Sequence, residues 1–70
     1  MKITLTYSTV DGCRGTKTYK TLKGARKFAH DRVGDTPEIY GNKAIAYDGV
    51  VVLYCCGIEM RELFPKAFTH

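Results

Sequence analysis

The sequence lacks a long hydrophobic run. Its longest apolar stretch, VVVLYCC, covers seven residues (50–56), whereas a membrane-spanning helix needs about 20. The first ten residues, MKITLTYSTV, alternate between polar and apolar side chains, so they do not form the continuous apolar region that a signal peptide requires. These absences predict a soluble, cytoplasmic protein without a membrane partner.

Paired cysteines are also lacking. Three cysteines in 70 residues are an odd number, which argues against a disulfide framework. Structural zinc sites usually contain ligand pairs about two to four residues apart, and that spacing is missing, so we expect reduced thiols and neither a metal nor a cofactor. The alternative zinc ligands would be Cys13, Cys55, Cys56 and either His30 or His70.

The chain contains no repeat, no low-complexity tract and no linker rich in proline, glycine or serine. Its composition is 44% hydrophobic and 26% charged, which is typical of a folded protein. A chain of 70 residues buries only about 60% of its unfolded surface and therefore has a small core. We predict one compact domain over residues 1–70.

Two strands and a helix are predicted in the first half of the chain. Residues 2–10 alternate in a way that is typical of a half-buried strand, and TKTYK (16–20) returns as a second strand after the turn residues DGCRG. Thr21 is the predicted N-cap of a helix that ends at Gly34. The apolar side chains of these elements are Ile3, Leu5 and Tyr7 on the strand, and Leu22, Ala25, Phe28, Ala29 and Val33 on the helix.

A hairpin is the strongest pattern in the second half. Asp48-Gly49 is a favoured two-residue turn in which both residues adopt positive φ, and the segment before the hairpin, DTPEIYGN (35–42), is predicted as a loop. Because the fourth strand is apolar on both faces, we expect it to be central in the sheet and covered on both sides. The predicted cross-strand pairs are Lys43 with Tyr54, Ile45 with Val52, and Tyr47 with Val50.

The element order is therefore ββαββ, followed by a short helical turn in IEMRELFP (58–65) that buries Leu63 and Phe64. We predict an α+β fold in which a four-stranded antiparallel sheet carries the main helix on one face. The strand order stays open. Either the last helix or a second subunit is expected to cover the other face of the fourth strand.

Positive charge is concentrated in the second strand and the helix. Residues 14–32 contain seven basic side chains and one acid, a net charge of +6; the other residues contain four basic side chains and six acids, a net charge of −2, which gives the total of +4. Four titratable side chains of the helix fall within an arc of about 100° that faces away from the apolar stripe. These four and two lysines of the second strand are the predicted binding residues: Lys17, Lys20, Lys23, Arg26, Lys27 and His30.

Such a basic face can bind the phosphates of a nucleic acid or an acidic protein surface; the alternative is an ordinary solvated helix face. Aromatic groups for base stacking are few, because Tyr7, Tyr47 and Tyr54 are predicted in the core or an interface, and only Tyr40 is in a loop. Zinc-finger, helix-turn-helix and single-stranded RNA-binding signatures are missing. For a nucleic-acid partner we therefore expect backbone contacts with little reading of sequence.

A constellation of catalytic residues is missing as well. His30 and Asp31 are adjacent in sequence but lie about 100° apart on the helix, and Asp35 lies beyond its end, so these side chains do not converge as an acid–base pair would. The sequence places no basic residue beside Cys55 to lower the pKa of its thiol. A glycine-rich phosphate-binding loop is absent, and one layer of sheet and helix offers little concavity. We predict that the protein is not an enzyme. The residues considered were His30, Asp31, Asp35 and Glu38.

An apolar surface on the hairpin gives the alternative function. If one face of the fourth strand stays exposed, it forms a patch of the kind that usually marks a protein contact. An unprotected edge strand could also pair with a partner or with a second copy as a homodimer. The residues of this alternative interface are Ile45, Tyr47, Val50, Val52 and Tyr54.

The order of TLKGARKFAHDRVGDTPEI, a hairpin with DG, and LFP near the C-terminus resembles small uncharacterised proteins of bacterial and phage genomes. The resemblance extends over nearly the whole chain, but it carries no activity and no functional residue with it. Phage and mobile-element proteins of this size often bind and block a host complex that handles nucleic acid, as anti-CRISPR and anti-restriction proteins do. The resemblance therefore implies only this genomic context, and binding or inhibition is an analogy with proteins of similar size.

Overall fold

The computed structural model describes residues 2–68 and has the predicted α+β class. Its elements are β1 (Ile3–Thr9), β2 (Arg14–Tyr19), α1 (Leu22–Val33), β3 (Glu38–Tyr40), β4 (Lys43–Ile45), β5 (Val51–Cys56), α2 (Met60–Leu63) and a 3₁₀ turn (Pro65–Phe68). The second strand begins two residues earlier than predicted and ends one residue earlier, so Lys20 lies outside it.

The sheet has five strands, not the predicted four. All neighbours are antiparallel, in the order β2-β1-β5-β4-β3, and β5 is central as expected. The fifth strand, β3, lies in the segment 35–42 that was predicted as a loop. A tight turn at Gly41, which has a φ of 62°, folds β3 back onto β4 and pairs Tyr40 with Lys43. The loop prediction was wrong because three residues are too few to show an alternating pattern.

The register of the β4–β5 hairpin is confirmed. Lys43 pairs with Tyr54 and Ile45 pairs with Val52.

The hairpin turn differs from the prediction. The N–H of Gly49 donates to the carbonyl of Ala46 at 2.8 Å, so Tyr47 and Asp48 form the centre of the turn, and Tyr47 does not pair with Val50. Gly49 has a φ of 74°, whereas Asp48 does not adopt positive φ. The Asp48 carboxylate instead accepts the Val50 N–H at 3.0 Å, and this local bond stabilises a wider loop.

The ends of α1 are where the sequence predicts them. The Thr21 hydroxyl accepts the N–H of Gly24 at 3.3 Å, which satisfies one free donor of the first turn. At the other end Gly34 has a φ of 83°, and its N–H donates to the His30 carbonyl at 2.9 Å. The helix buries Ala25, Ala29 and Val33 against the sheet, as the apolar stripe predicts.

One side of the sheet carries the core. Ile3 and Leu5 of β1, Leu53 of β5, and both Leu63 and Phe64 are fully buried, and they form one cluster with the buried face of α1. The burial of Leu63 and Phe64 is as predicted. Because α2 packs beside α1, it does not cover the second face of β5. The first of the two predicted covers, the last helix, was therefore wrong, and a second subunit stays a prediction.

Candidate functional site

Two of the predicted binding residues are used within the fold. The Arg26 guanidinium donates two hydrogen bonds to the Glu62 carbonyl, from Nε at 3.1 Å and from Nη2 at 2.6 Å. His30 lies with Nε2 at 2.7 Å from the Leu63 carbonyl, and its ring stacks on that of Phe64 at 5.4 Å between centroids. These carbonyls belong to the last turn of α2, where helices leave acceptors without an internal partner. Arg26 and His30 therefore hold α2 against α1.

The other four predicted residues are exposed lysines, which we call the lysine surface: Lys17, Lys20, Lys23 and Lys27. Lys17 pairs with Leu5 in the β1–β2 ladder, so it lies on the helix side of the edge strand. Lys23 and Lys27 are one turn apart on α1 and line a shallow open groove together with Leu22, Arg26 and His30. Neither of the two ion pairs found within residues 2–68, Arg61–Glu59 and Lys66–Asp35, involves these lysines.

Arg32, a further basic residue of α1, is exposed but lies against two aromatic rings. The Arg32 guanidinium lies 4.7 Å from the centroid of the Tyr7 ring and 5.0 Å from that of Phe28. Phe28 in turn contacts Tyr19 of the edge strand, with 5.8 Å between ring centroids. A guanidinium over aromatic faces is held by cation–π attraction. Arg32 therefore stabilises the packing of α1 on the sheet and does not add to the lysine surface.

The face of the sheet opposite the helices is uncovered, and we call it the open face. Residues that pair across neighbouring strands share a face, so the ladders define two rows that cross all five strands. The first row, from β3 to β2, is Tyr40, Lys43, Tyr54, Thr6 and Thr16. The second row is Glu38, Ile45, Val52, Ser8 and Arg14. A partial third row contains Cys56, Thr4 and Thr18.

The residues of the alternative interface divide between two places. Ile45, Val52 and Tyr54 lie together on the open face. Tyr47 and Val50 lie in the hairpin loop, where Tyr47 is fully exposed. The Val10 N–H donates to the Val50 carbonyl at 3.0 Å. The exposed side chain of Val10 therefore lies at the same end of the sheet as those of Tyr47 and Val50.

Tyr40 is exposed, as predicted, but it is held by a neighbour. Its hydroxyl donates to Oε2 of Glu38 at 2.9 Å. This hydrogen bond, together with the negative charge of Glu38, raises the pKa of Tyr40 above its ordinary value, because both favour the neutral phenol. The ring is thereby oriented on β3 while its face stays accessible.

The groups considered for catalysis and metal binding are dispersed. His30 bonds to α2, Asp35 pairs with Lys66 at 3.5 Å, and Glu38 bonds to Tyr40. Within the described part of the chain, no three His, Cys, Asp or Glu side chains are grouped so that they could hold a metal ion. His70 lies outside the described residues.

The three cysteines have different surroundings. Cys13 and Cys56 are exposed, and Cys55 is buried. The Cys55 thiol donates to the Ile58 carbonyl at 3.2 Å. Burial, with a smaller contribution from neighbouring Cys56, raises the pKa of Cys55. Cys55 is therefore a poor candidate for a nucleophile, since the reactive species is the thiolate.

Comparisons of the chain with protein-family models, with curated proteins and with solved structures gave no match. The resemblance to small phage proteins therefore stays a prediction. Among residues 2–68, the helices are all too short or too polar to cross a bilayer. Functional assignment consequently rests on the geometry of the lysine surface and of the open face.

Proposed function

We propose that this chain is a non-enzymatic binding module that contacts nucleic acid through the lysine surface. The observation that carries the proposal is the contrast among the cations of residues 14–32. Arg26 bonds to the Glu62 carbonyl, and Arg32, although exposed, lies against two aromatic rings. Lys17, Lys20, Lys23 and Lys27 are exposed, and neither of the ion pairs within residues 2–68 involves them. Residues 14–32 carry a net charge of +6, and exposed ammonium groups bind phosphates by releasing counterions.

The proposed mode is contact with the phosphate backbone. Lysine ammonium groups act as point charges on flexible stems, so they follow a backbone without requiring a fixed base sequence. A net charge of +4 also favours association with a polyanion. An acidic patch on a protein that handles nucleic acid offers the same charge and is the second form that this partner could take.

The alternative function is a protein-binding inhibitor or adaptor of the phage type, acting on a host complex or as a homodimer. The specific observation in its favour is that Ile45, Val52 and Tyr54 lie on the open face, where Tyr54 keeps 42% of its surface exposed. Exposed apolar groups that are contiguous on one face commonly mark protein contacts.

A pair of charge-reversed variants tests the proposal. Lys23→Glu with Lys27→Glu removes two lysines of the lysine surface, and Arg61→Glu with Lys66→Glu changes the net charge by the same amount elsewhere. Arg61 forms an exposed ion pair with Glu59. We expect the first variant to lose binding to labelled DNA and RNA in fluorescence anisotropy, while the second retains most of it. Lys66 forms an exposed ion pair with Asp35, and such pairs contribute little stability, so the control should remain folded.

Equal weakening of both variants would mean that only net charge matters and that the lysine surface is not the site. Undiminished binding by the Lys23→Glu, Lys27→Glu variant would also overturn the proposal. Wild-type protein that binds no nucleic acid even at low salt would favour the alternative function.

A further inference from the structure

The open face places two aromatic rings and a cation in one row. Tyr40, Lys43 and Tyr54 come from the neighbouring strands β3, β4 and β5, and they are consecutive in the ladder. Tyr40 is 58% exposed and Tyr54 is 42% exposed. The two tyrosines are separated by two strand spacings, or about 10 Å. Aromatic side chains that are partly exposed on a flat surface can stack on nucleic-acid bases.

The polar groups of the open face suit a sugar–phosphate backbone. Ser and Thr hydroxyls commonly donate to phosphate and sugar oxygens, and five of them occupy the β1 and β2 half of this face. Thr6 and Thr16 lie with their hydroxyl oxygens 3.5 Å apart, which confirms that their side chains share a side of the sheet. The full set is Thr4, Thr6, Ser8, Thr16 and Thr18.

The charges of the open face are complementary to a polyanion. Within the rows defined by residues 4–56, Lys43 and Arg14 are the cations and Glu38 is the acid. Glu38 is at the β3 end, where it accepts the hydroxyl of Tyr40, and Arg14 is at the β2 end. The single acid is therefore at the β3 edge, and the two cations are on β4 and at the β2 edge.

The row of tyrosines leads to the lysine surface. It runs through Thr6 to Thr16 on the edge strand, and Lys17 follows Thr16 on the opposite side of that strand. A single strand lying along the row can therefore pass over the β2 edge and reach Lys17. A duplex cannot use the tyrosines in the same way, because its bases are stacked on one another and their faces are not available.

We propose that the open face binds single-stranded nucleic acid, with bases stacked on Tyr54 and Tyr40 and phosphates contacted by Lys43 and Arg14. This inference rests on the proposed function and specifies its substrate class. A protein partner fits the same face less well, since Ser and Thr, which make up five of the thirteen residues in its three rows, are under-represented among the residues that dominate protein interfaces.

The test compares tyrosine variants on single-stranded and double-stranded ligands. Tyr54→Leu removes the aromatic face and keeps an apolar side chain, whereas Tyr54→Phe keeps the ring. Tyr47→Ala is the matched control, because Tyr47 is fully exposed in the hairpin loop and lies off the open face. Fluorescence anisotropy with labelled oligothymidine and with a duplex of equal length gives the affinities, and circular dichroism establishes that each variant is folded.

We expect Tyr54→Leu to weaken oligothymidine binding by about 5- to 150-fold, the range for one stacked base, with an unchanged salt dependence and unchanged duplex binding. Tyr54→Phe and Tyr47→Ala should bind like the wild type. The chain has no tryptophan and five tyrosines, so quenching of the intrinsic tyrosine emission by oligothymidine gives an independent readout, and Tyr54→Leu should reduce that quenching.

Three outcomes would overturn the inference. The first is wild-type affinity of Tyr54→Leu for oligothymidine, with the lysine variants still defective; this leaves the proposed function standing. The second is an equal loss of duplex binding, which indicates general damage. The third is a dimer in analytical ultracentrifugation that Tyr54→Leu dissociates, which means that a second copy covers the open face. Failure of the proposed function itself is recognised separately, because then either the wild type binds neither ligand or the Lys23→Glu, Lys27→Glu variant binds no more weakly than its charge-matched control.

Discussion

The two faces of the sheet differ in what they contribute. The face under α1 is apolar and closed, with Leu5 and Leu53 fully buried, and it determines the stability of the fold. The open face carries hydroxyls, two tyrosines and two cations, none of which the core requires. Neighbouring residues of β5 show the contrast most directly, since Leu53 is buried and Tyr54 is 42% exposed. The open face is therefore the part of the sheet that is available for binding.

The basic residues of α1 are likewise divided between a structural role and exposure to solvent. Arg26 and His30 contact the last turn of α2, and Lys23 and Lys27, on the adjacent part of the helix surface, face solvent. Similar side chains on one helix thus have a structural role on one side and are free to bind on the other. Three predictions sharpen these comparisons. The first two are changes in the free energy of unfolding, the larger first, and the third is a difference in cysteine labelling.

The largest effect is expected at the buried face of β5. Leu53→Ala should lower the free energy of unfolding by about 2–5 kcal/mol, because it removes buried methyl groups and leaves a cavity. Val52→Thr, on the open face next to it, should change the free energy of unfolding by less than about 1 kcal/mol. Urea denaturation followed by circular dichroism measures both, and equal losses would mean that the two faces are not distinct.

A smaller effect is expected on α1. Arg26→Ala should lower the free energy of unfolding by about 0.5–1.5 kcal/mol, since the Glu62 carbonyl loses its two hydrogen bonds. Lys27→Ala, one position further along, should change it by no more than about 0.5 kcal/mol. The same denaturation experiment applies. If Arg26→Ala changes the free energy of unfolding as little as Lys27→Ala does, Arg26 does not hold α2 in place, and it becomes a candidate binding residue again.

The adjacent cysteines give a comparison without any mutation. Cys56 is on the open face and Cys55 is buried, with its pKa raised by burial. Alkylation with iodoacetamide, mapped by mass spectrometry, should modify Cys13 and Cys56 at mildly alkaline pH and spare Cys55. Because the raised pKa of Cys55 keeps its thiol protonated, its labelling should begin only at a higher pH than that of the other two. Simultaneous labelling of all three would contradict the burial of this side of β5.

Local patterns predicted much of the fold. The N-cap at Thr21, the buried stripe of α1 and the pairing of Lys43 with Tyr54 all depend on residues close in sequence, and each was predicted correctly. Strand β3 was missed, although Gly41-Asn42 between Tyr40 and Lys43 is a recognised two-residue turn signal. It lay inside a segment after Pro37 that was otherwise rich in loop residues.

The candidate site depended on contacts that the sequence does not reveal. His30 meets Leu63, which is 33 residues away, and Arg26 meets Glu62, which is 36 residues away. The periodicity of α1 places four of its basic residues in one arc away from the apolar stripe and therefore cannot separate those that bond to α2 from those that face solvent. The four are Lys23, Arg26, Lys27 and His30. Similarly, β5 is apolar on both faces, so its pattern could not predict which face α1 and α2 would cover.

The salt dependence of binding to single-stranded DNA tests the central claim most directly. A plot of log affinity against log salt should have a slope of about −2.8 for the wild type if only the four lysines of the lysine surface contact phosphates, and of about −4.2 if Lys43 and Arg14 contact phosphates as well. In either case the Lys23→Glu, Lys27→Glu variant should reduce the magnitude of the slope by at least about 1.4. A slope near zero, or one that the substitutions leave unchanged, would contradict the assignment of these lysines to phosphate binding.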